Sequence, residues 1–190
     1  MILYNIFMNC AECIKKVCKK EMADTLSCCT NLAADMAKIK DEYRGTYAKI
    51  SKAALDAVGD GKQSRLDELV AFLNLMDYKK IGLALCAAMH DEAATVSSRL
   101  KKEGFIIYSI MCKIGAISRK DVGLPDSSIS LCNPLAQAEF LNQSKTDINI
   151  VLGLCIGHDI MFSKASHAPH TTLAVKDRKH GNNPCLGLTD

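Results

Sequence analysis

The sequence contains no tryptophan, and aromatic residues make up only 5% of the chain. So few aromatic side chains provide no row of stacking platforms for the bases of a single strand. The formal net charge is only +3, and the lysines have acidic neighbours, so no basic stripe is present to follow a phosphate backbone. We therefore expect no nucleic-acid partner.

Long apolar runs are also absent. None reaches the roughly 18 residues that a membrane-spanning helix needs. Residues 1–8 are apolar, but they lack the basic flank and the small-residue cleavage site of a signal peptide. We interpret them as an edge strand or a segment packed on the core. The sequence predicts a cytoplasmic protein without a membrane partner.

Cysteine, in contrast, is abundant, with ten residues in a chain of 190. In a secreted chain this number would indicate disulfides. In a chain without an export signal, the thiols are expected to stay reduced and to serve as metal ligands or reactive groups.

Five cysteines lie within residues 9–30. Cys10 and Cys13 are separated by two residues, Cys18 follows, and Cys28 and Cys29 come about ten residues later. A tight turn between two cysteines directs both sulfurs at one ion, and two more thiolates complete a tetrahedral shell. The alternative, a set of exposed free thiols, is unfavourable because such thiols are reactive. The pattern predicts a metal site, with Cys28 or Cys29 as its fourth ligand.

A helical segment follows. Apolar residues recur every three or four positions from Leu32 to Val58, which predicts one long amphipathic helix with Ala54 and Val58 on its apolar face. The glycines at 59 and 61 end this helix, and a second helix is predicted over about residues 64–76.

From residue 77 onward, short apolar runs alternate with helical patterns. The first three runs predict buried strands, and the last predicts a fourth strand; they are Ile81–Cys86, Phe105–Cys112, Ile148–Leu154 and Thr171–Val175. The segments between them predict helices near 91–102, 134–143 and 160–166. Such alternation predicts a three-layer α/β/α fold with a mostly parallel sheet of four to five strands. We divide the chain into a Cys-rich knuckle (1–30), a helical lead-in (31–76) and an α/β domain (77–190), forming one compact unit.

Four further cysteines are predicted to meet at one edge of this sheet. Cys86, Cys112 and Cys155 end three of the strands, and Cys132 directly precedes the Asn133–Pro134 helix start, where a helix N-terminus stabilises a thiolate. The carboxyl ends of parallel strands lie along one edge, which is where ligands bind. We interpret the four as a cofactor-binding set; the alternative is that each is a small buried hydrophobic residue.

Other polar residues are expected at the same edge. His158 and Asp159 follow Cys155 on a Gly-containing turn. Cys132 or Cys155 could therefore act as a nucleophile, with His158 as base and Asp159 orienting it. Residues 176–178 follow the fourth strand and either bind a small anionic ligand or form an ordinary solvated turn.

The sequence resembles an uncharacterised cysteine-rich metal-binding protein family, a domain of unknown function found mainly in anaerobic bacteria and archaea. The resemblance covers most of the chain. It is carried by Cys10 to Cys18, by the Ile81–Cys86 strand, by Cys112 to Gly115 and by Val175 to Arg178, and above all by two long motifs, Cys132-Asn133-Pro134 and Gly153-Leu154-Cys155-Ile156-Gly157-His158-Asp159.

The resemblance implies metal binding and no assigned reaction. The matching positions that it carries over are Cys10, Cys13, Cys18, Cys29, Cys86, Cys112, Cys132, Cys155 and His158. The chain departs from the family pattern at Thr30, where a proline is expected, at Met111, where a cysteine pair is expected, and at Asn182, where a histidine is expected. His180 could substitute for that histidine.

Three functions remain open. The first is a zinc or iron–sulfur protein with a redox, sulfur-handling or metal-sensing role. The second is a thiol enzyme that uses the cysteine and histidine at the sheet edge. The third is a structural zinc knuckle on an α/β domain that binds a ligand or a protein partner.

Overall fold

A computed structural model describes residues 10–12, 14, 33–45 and 47–188. The chain divides into two compact units, Met1–Lys52 and Ala53–Asp190. This division falls inside the segment that we predicted as the helical lead-in. Of the predicted N-terminal ligands, Cys10 begins a short 3-10 turn, Cys10–Glu12. The other N-terminal cysteines (Cys13, Cys18, Cys28 and Cys29) and residues 1–9 lie outside the described residues.

The predicted single long helix is wrong: the segment forms two helices, α1 (Ala33–Arg44) and α2 (Ala48–Val58). The interruption lies at Gly45, whose N–H reaches the carbonyls of Asp41 and Glu42 at 2.9 and 3.2 Å. Glycine in a helix interior costs about 1 kcal/mol relative to alanine, so a helix breaks readily at such a position.

The buried face of α2 also differs from the prediction. Ala53 and Ala57 are buried, whereas Val58 is 43% exposed. Because the helix restarts after the turn, the buried stripe is displaced by one residue, which on a helix corresponds to a rotation of about 100°. A periodicity read across Gly45 therefore assigns the wrong residues to the interior.

The second unit is an α/β fold, as predicted, with four strands that are all parallel. The sheet order is β2-β1-β3-β4. The elements are α3 (Arg65–Met76), β1 (Lys80–Leu85), α4 (His90–Lys102), β2 (Ile106–Met111), α5 (Pro134–Gln143), β3 (Ile148–Leu152), α6 (Ile156–Ala165) and β4 (His170–Ala174).

The helices cover both faces of the sheet, which confirms three layers. On one face, α3 and α4 pack on the strands through side chains such as Leu73 and Leu100. On the other face, α5 and α6 pack through Ala138, Leu141 and Phe162. Side chains alternate between the two faces along each strand, so a strand covered on both sides reads as a continuous apolar run.

The expectation of a buried second strand is wrong. Of the six residues of β2, only Ile110 is buried, whereas β1 and β3 are buried almost throughout. The reason is topological: β2 lies at the edge of the sheet and pairs only with β1. An edge strand can carry the same apolar sequence as a central one, because the sequence does not specify the strand order.

In the part of the chain that the structure describes, every helix is too short or too polar to cross a lipid bilayer.

Candidate functional site

The side of the sheet on which the chain adds its next strand changes between β1 and β3. From β1 the connection leads through α4 to β2 on one side, and from β3 it leads through α6 to β4 on the other. Loops that leave two neighbouring strands in opposite directions open a crevice at their carboxyl ends, where open α/β sheets bind ligands. Cys86 follows β1, and Cys155 follows β3 by three residues, so both lie at this crevice.

The backbone of Cys86 and Cys112 is fixed by hydrogen bonds that extend the sheet. The Cys86 N–H donates to the Leu152 carbonyl at 2.9 Å, and the Cys112 N–H donates to the Leu85 carbonyl at 2.9 Å. The Ala87 N–H, directly after Cys86, donates to the Cys112 Sγ at 3.4 Å. The Cys112 sulfur therefore lies against the turn that carries Cys86.

Cys132 is brought to the same place by the start of α5. Asn133 caps this helix, since its side chain accepts from the Ala136 N–H at 3.0 Å, and Pro134 occupies the first helical position as predicted. The Asn133 N–H donates to the Cys112 carbonyl at 2.7 Å. Cys86, Cys112 and Cys132 belong to one cluster on the α5 and α6 face of the sheet. We call these three residues together with Cys155 the rim cysteines.

Cys112 is the most deeply buried of the rim cysteines, with 2% of its surface exposed. The pKa of its thiol is raised to about 11, mainly by burial and to a smaller extent by the neighbouring Cys132 and Cys86, while the hydrogen bond from the Ala87 N–H lowers it. Burial disfavours a thiolate, and adjacent thiolates repel one another. Without a bound cation, Cys112 is therefore a protonated thiol at neutral pH.

Cys155 is held by a different partner. It occupies the N-cap of α6, and the Arg178 guanidinium donates from Nη2 to its sulfur at 3.1 Å. The hydrogen bond from Arg178 and the charge of Cys155 raise the pKa of Arg178, with further contributions from Cys86 and Cys132. Arg178 thus lies within electrostatic range of three rim cysteines.

The turn that presents Arg178 is organised by Asp177. Its Oδ1 accepts from the backbone N–H groups of Lys179 and His180, and its Oδ2 lies 3.0 Å from the His180 Nδ1. These bonds from His180 lower the pKa of Asp177. The contact to Cys155 places Arg178 beside the rim cysteines, and the binding of a small anionic ligand by residues 176–178 stays a prediction. His180, which could substitute for the histidine expected at position 182, thus lies with its ring against the Asp177 carboxylate.

His158 lies in the first turn of α6, because the helix begins at Ile156 and not near Ile160 as predicted. The pKa of His158 is lowered by burial and by the positive charges of Lys113 and Arg178. Lys113, which follows Cys112, donates from Nζ to the Ser130 carbonyl. Two cations and a neutral imidazole therefore border the rim cysteines.

Asp159 lies beside a second feature. It lines a shallow groove of about 370 Å³ at the β4 side, together with Ser163, Lys164, His170 and Thr172. Burial raises the pKa of Asp159, and His170 and His158 oppose that shift. Within the described residues, no hydrogen bond joins the Asp159 carboxyl group to the His158 ring. The predicted orienting role of Asp159 therefore has no hydrogen bond to support it.

The sequence did not single out Gln137, a fully buried residue of α5. Its Nε2 donates to the carbonyls of Leu85 and Ile110 at 3.2 and 2.8 Å. Its Oε1 is the one buried side-chain oxygen or nitrogen without a hydrogen-bond partner in the described part of the chain. The sequence does contain one sign of this residue: the other buried positions of α5 are apolar, namely Pro134, Ala138 and Leu141, so a polar glutamine among them stands out.

The side chains as they stand do not form a complete metal shell. In residues 10–12, 14, 33–45 and 47–188, no group of three or more His, Cys, Asp or Glu side chains has an arrangement that could hold a metal ion. Cys86, Cys112, Cys132 and Cys155 are free cysteines, as is the exposed Cys185, which lies in the 3-10 helix Pro184–Leu188.

The amino-acid sequence matches a known protein family and an archaeal relative. The family described as a protein of unknown function, DUF1847, matches residues 12–173. The chain is similar to the uncharacterised protein MJ0455 of Methanocaldococcus jannaschii, with 38% identity over 187 residues, which covers 93% of this chain and 91% of the relative. No solved structure matches the chain.

The family match covers both the sheet and the rim cysteines, and the archaeal relative extends over nearly the whole chain. The protein belongs to the DUF1847 family of proteins of unknown function.

Proposed function

We propose that the protein binds a thiophilic metal centre, zinc or an iron–sulfur cluster, through its rim cysteines. The observation that carries this proposal is that Cys86, Cys112 and Cys132 lie together at the carboxyl end of the sheet, with Cys155 bound to Arg178 beside them. Thiolates are the ligands that both zinc and iron–sulfur clusters prefer.

The charges bordering the cysteines suit such a centre. A divalent ion held by four thiolates carries a net charge of about −2. Lys113 and Arg178 bring two positive charges to the same rim. Because charges are weakly screened at a partly buried site, this balance lowers the cost of collecting the thiolates.

The donor set fits the metal, although its side chains must turn to hold it. A cysteine rotates about one χ1 bond, which moves its sulfur by about 3 Å between staggered positions. Cys86, Cys132 and Cys155 are half-buried, while Cys112 is fixed by the Ala87 N–H. The metal would supply a positive charge that lets Cys112 ionise at neutral pH, and the protein's part is to bring the four sulfurs together.

The experiment is metal and acid-labile sulfide analysis of protein prepared without oxygen. We expect about one zinc ion or one cluster per rim, lost in Cys112→Ser and Cys155→Ser and kept in the matched control Cys185→Ser. A Cys13→Ser variant tests separately the N-terminal site predicted from Cys10, Cys13, Cys18 and Cys29. Wild-type metal content in both rim variants would exclude this proposal.

A thiol enzyme is the second candidate, and the Arg178–Cys155 contact favours it. A guanidinium 3.1 Å from a sulfur at a helix N-terminus stabilises a thiolate, and a neutral His158 nearby could accept a proton. This function predicts that Cys155 alone reacts rapidly with iodoacetamide at pH 7, and that Arg178→Gln slows it while Lys176→Gln does not. Equal reaction rates for Cys155 and the exposed Cys185 would count against it.

A further inference from the structure

The side chains of two rim cysteines, Cys112 and Cys132, are in direct contact. The Cys112 S–H donates a hydrogen bond to the Cys132 sulfur, whereas the effect of Cys86 on Cys112 is electrostatic. Both contacting side chains belong to the cluster on the α5 and α6 face of the sheet. Because both cysteines are free, the contact joins two reduced thiols.

The backbone places the same two residues at a distance that a disulfide can span. The Asn133 N–H donates to the Cys112 carbonyl at 2.7 Å, and Asn133 directly follows Cys132. Two covalent bonds on each side of this hydrogen bond lead to a Cα atom, so the Cα atoms of Cys112 and Cys132 are about 5–6 Å apart. Disulfides link Cα atoms that are about 4.4–6.8 Å apart. The pair can therefore be joined without moving the backbone.

Cys86 is also next to Cys112, but the sheet keeps these two residues apart. The strand register pairs Leu85 with Met111, and Cys86 and Cys112 continue it as neighbours on adjacent parallel strands. Side chains at such positions stand side by side at the strand spacing of about 4.8 Å. A disulfide needs Cβ atoms about 3.8 Å apart, so a bond to Cys86 would distort the ladder. Cys132, which lies outside the strands, is the better partner.

The two contacting thiols differ in exposure, and this difference sets the order in which they react. Cys132 is half-buried, whereas Cys112 has only 2% of its surface exposed. A small molecule in solution therefore reaches the Cys132 sulfur first, and Cys112 reacts with what is bound there. An accessible thiol in contact with a second, resolving thiol is the arrangement of a redox-active pair.

We infer that Cys112 and Cys132 are a redox-active pair that closes into an intramolecular disulfide by exchange with a low-molecular-weight disulfide. The Cys132 thiolate attacks one sulfur of that molecule, forms a mixed disulfide and releases the first small thiol. Cys112 then gives up its proton and attacks the Cys132 sulfur, which releases the second small thiol. Two electrons pass from the protein to the small disulfide, and a covalent bond closes the loop of residues 113–131.

This inference goes beyond the proposed function and does not depend on it, because the exchange takes place in metal-free protein. The two are nevertheless linked, since metal and disulfide compete for the same sulfurs. A Cys112–Cys132 bond removes two of the four thiolates of the proposed centre, and the thiolate is the form that binds metal. Oxidation of the pair would therefore release a metal held at the rim.

The test mixes full-length, reduced, metal-free protein with oxidised glutathione, quenches with acid and maps the peptides by mass spectrometry. We expect a linked peptide that joins Cys112 to Cys132. In Cys112→Ala the reaction should stop at the glutathione adduct of Cys132. That adduct should be at least about 10-fold more abundant than in wild type, because a neighbouring thiol reacts as if at millimolar concentration or above.

Two further variants keep the test decisive. If Cys112→Ala does not fold, Cys132→Ala replaces it, and Cys112 should then stay a free thiol because glutathione does not reach it. The matched control is Cys86→Ala, which removes the competing neighbour and should keep the linked peptide.

Three results would overturn the inference: a lasting glutathione adduct on Cys132 in wild type, a wild-type link between Cys86 and Cys112, or loss of the linked peptide in Cys86→Ala. One equivalent of Zn²⁺, added before the glutathione, tests the proposed function separately. Slower closure would support metal binding at the rim. An unchanged rate would count against that function, whereas the disulfide itself would still confirm the pair.

Discussion

At the level of single residues, the raised pKa of Cys112 makes a prediction for metal-free protein. With a pKa of about 11 in place of 9.0, the thiolate fraction at pH 8 falls by about 100-fold. Since the thiolate is the reactive form and Cys112 is buried, alkylation of Cys112 by iodoacetamide should be much slower than alkylation of the exposed Cys185. Peptide mapping by mass spectrometry measures both rates in one sample.

The raised pKa of Cys112 also makes the free energy of unfolding depend on pH. The folded protein holds the Cys112 proton more tightly than the unfolded chain, so the contribution is complete below about pH 9 and is lost as pH rises toward 11. Urea unfolding at pH 7 and pH 10 should therefore show a larger alkaline loss in wild type than in Cys112→Ala. Cys185→Ala is the control and should behave as wild type. Identical pH profiles for all three proteins would show that Cys112 titrates normally.

The rim cysteines could be predicted from the sequence because strand ends in a parallel sheet share one edge. Gln137 could not, since its partners are backbone carbonyls 52 and 27 residues away in the chain. Asp159 was placed beside His158 because the two are consecutive. On α6, however, consecutive side chains diverge by about 100°, so Asp159 also lines the groove that contains His170.

At the level of elements, the turn between β3 and Cys155 depends on Gly153. Its φ is +63°, and a Cβ placed there would lie 2.0 Å from the Met89 sulfur. Gly104 provides a matched control, because its φ is +91° but a Cβ there meets nothing within 4 Å. We expect Gly104→Ala to lower the free energy of unfolding by roughly 1–2 kcal/mol, from backbone strain alone.

Gly153→Ala should lose roughly 1–3 kcal/mol more than the control, because overpacking against Met89 adds to the strain. Urea unfolding of the two variants measures the difference. Equal losses would mean that Met89 moves aside freely and that the turn before Cys155 tolerates a side chain.

The strands and helices after residue 64 could be predicted because a change of hydrophobic period accompanies most boundaries, although it did not reveal that α6 begins at Ile156. The edge position of β2 could not, since Ile106–Met111 is as apolar as a central strand and only the pairing with β1 alone exposes it. The break at Gly45 was missed because apolar residues continue on both sides of it at helical spacing.

At the level of the whole molecule, the second unit contains everything its own core needs. The buried members of both hydrophobic clusters all lie between Leu69 and Phe162. A fragment of residues 47–190, which keeps α2 whole, should therefore unfold cooperatively in urea and still bind Co²⁺ through its rim cysteines. A gradual transition without a baseline would show that the fold of this unit depends on the residues that were removed.

The central claim is that four distant cysteines share one ligand, and thiol protection tests it most directly. Full-length protein is alkylated with iodoacetamide before and after one equivalent of Zn²⁺, or as the anaerobic preparation with its own metal, and each cysteine is quantified by mass spectrometry. We predict that the metal protects Cys86, Cys112, Cys132 and Cys155 together, while Cys185 reacts at the same rate throughout. Rim cysteines that react at unchanged rates in the presence of metal would contradict the account.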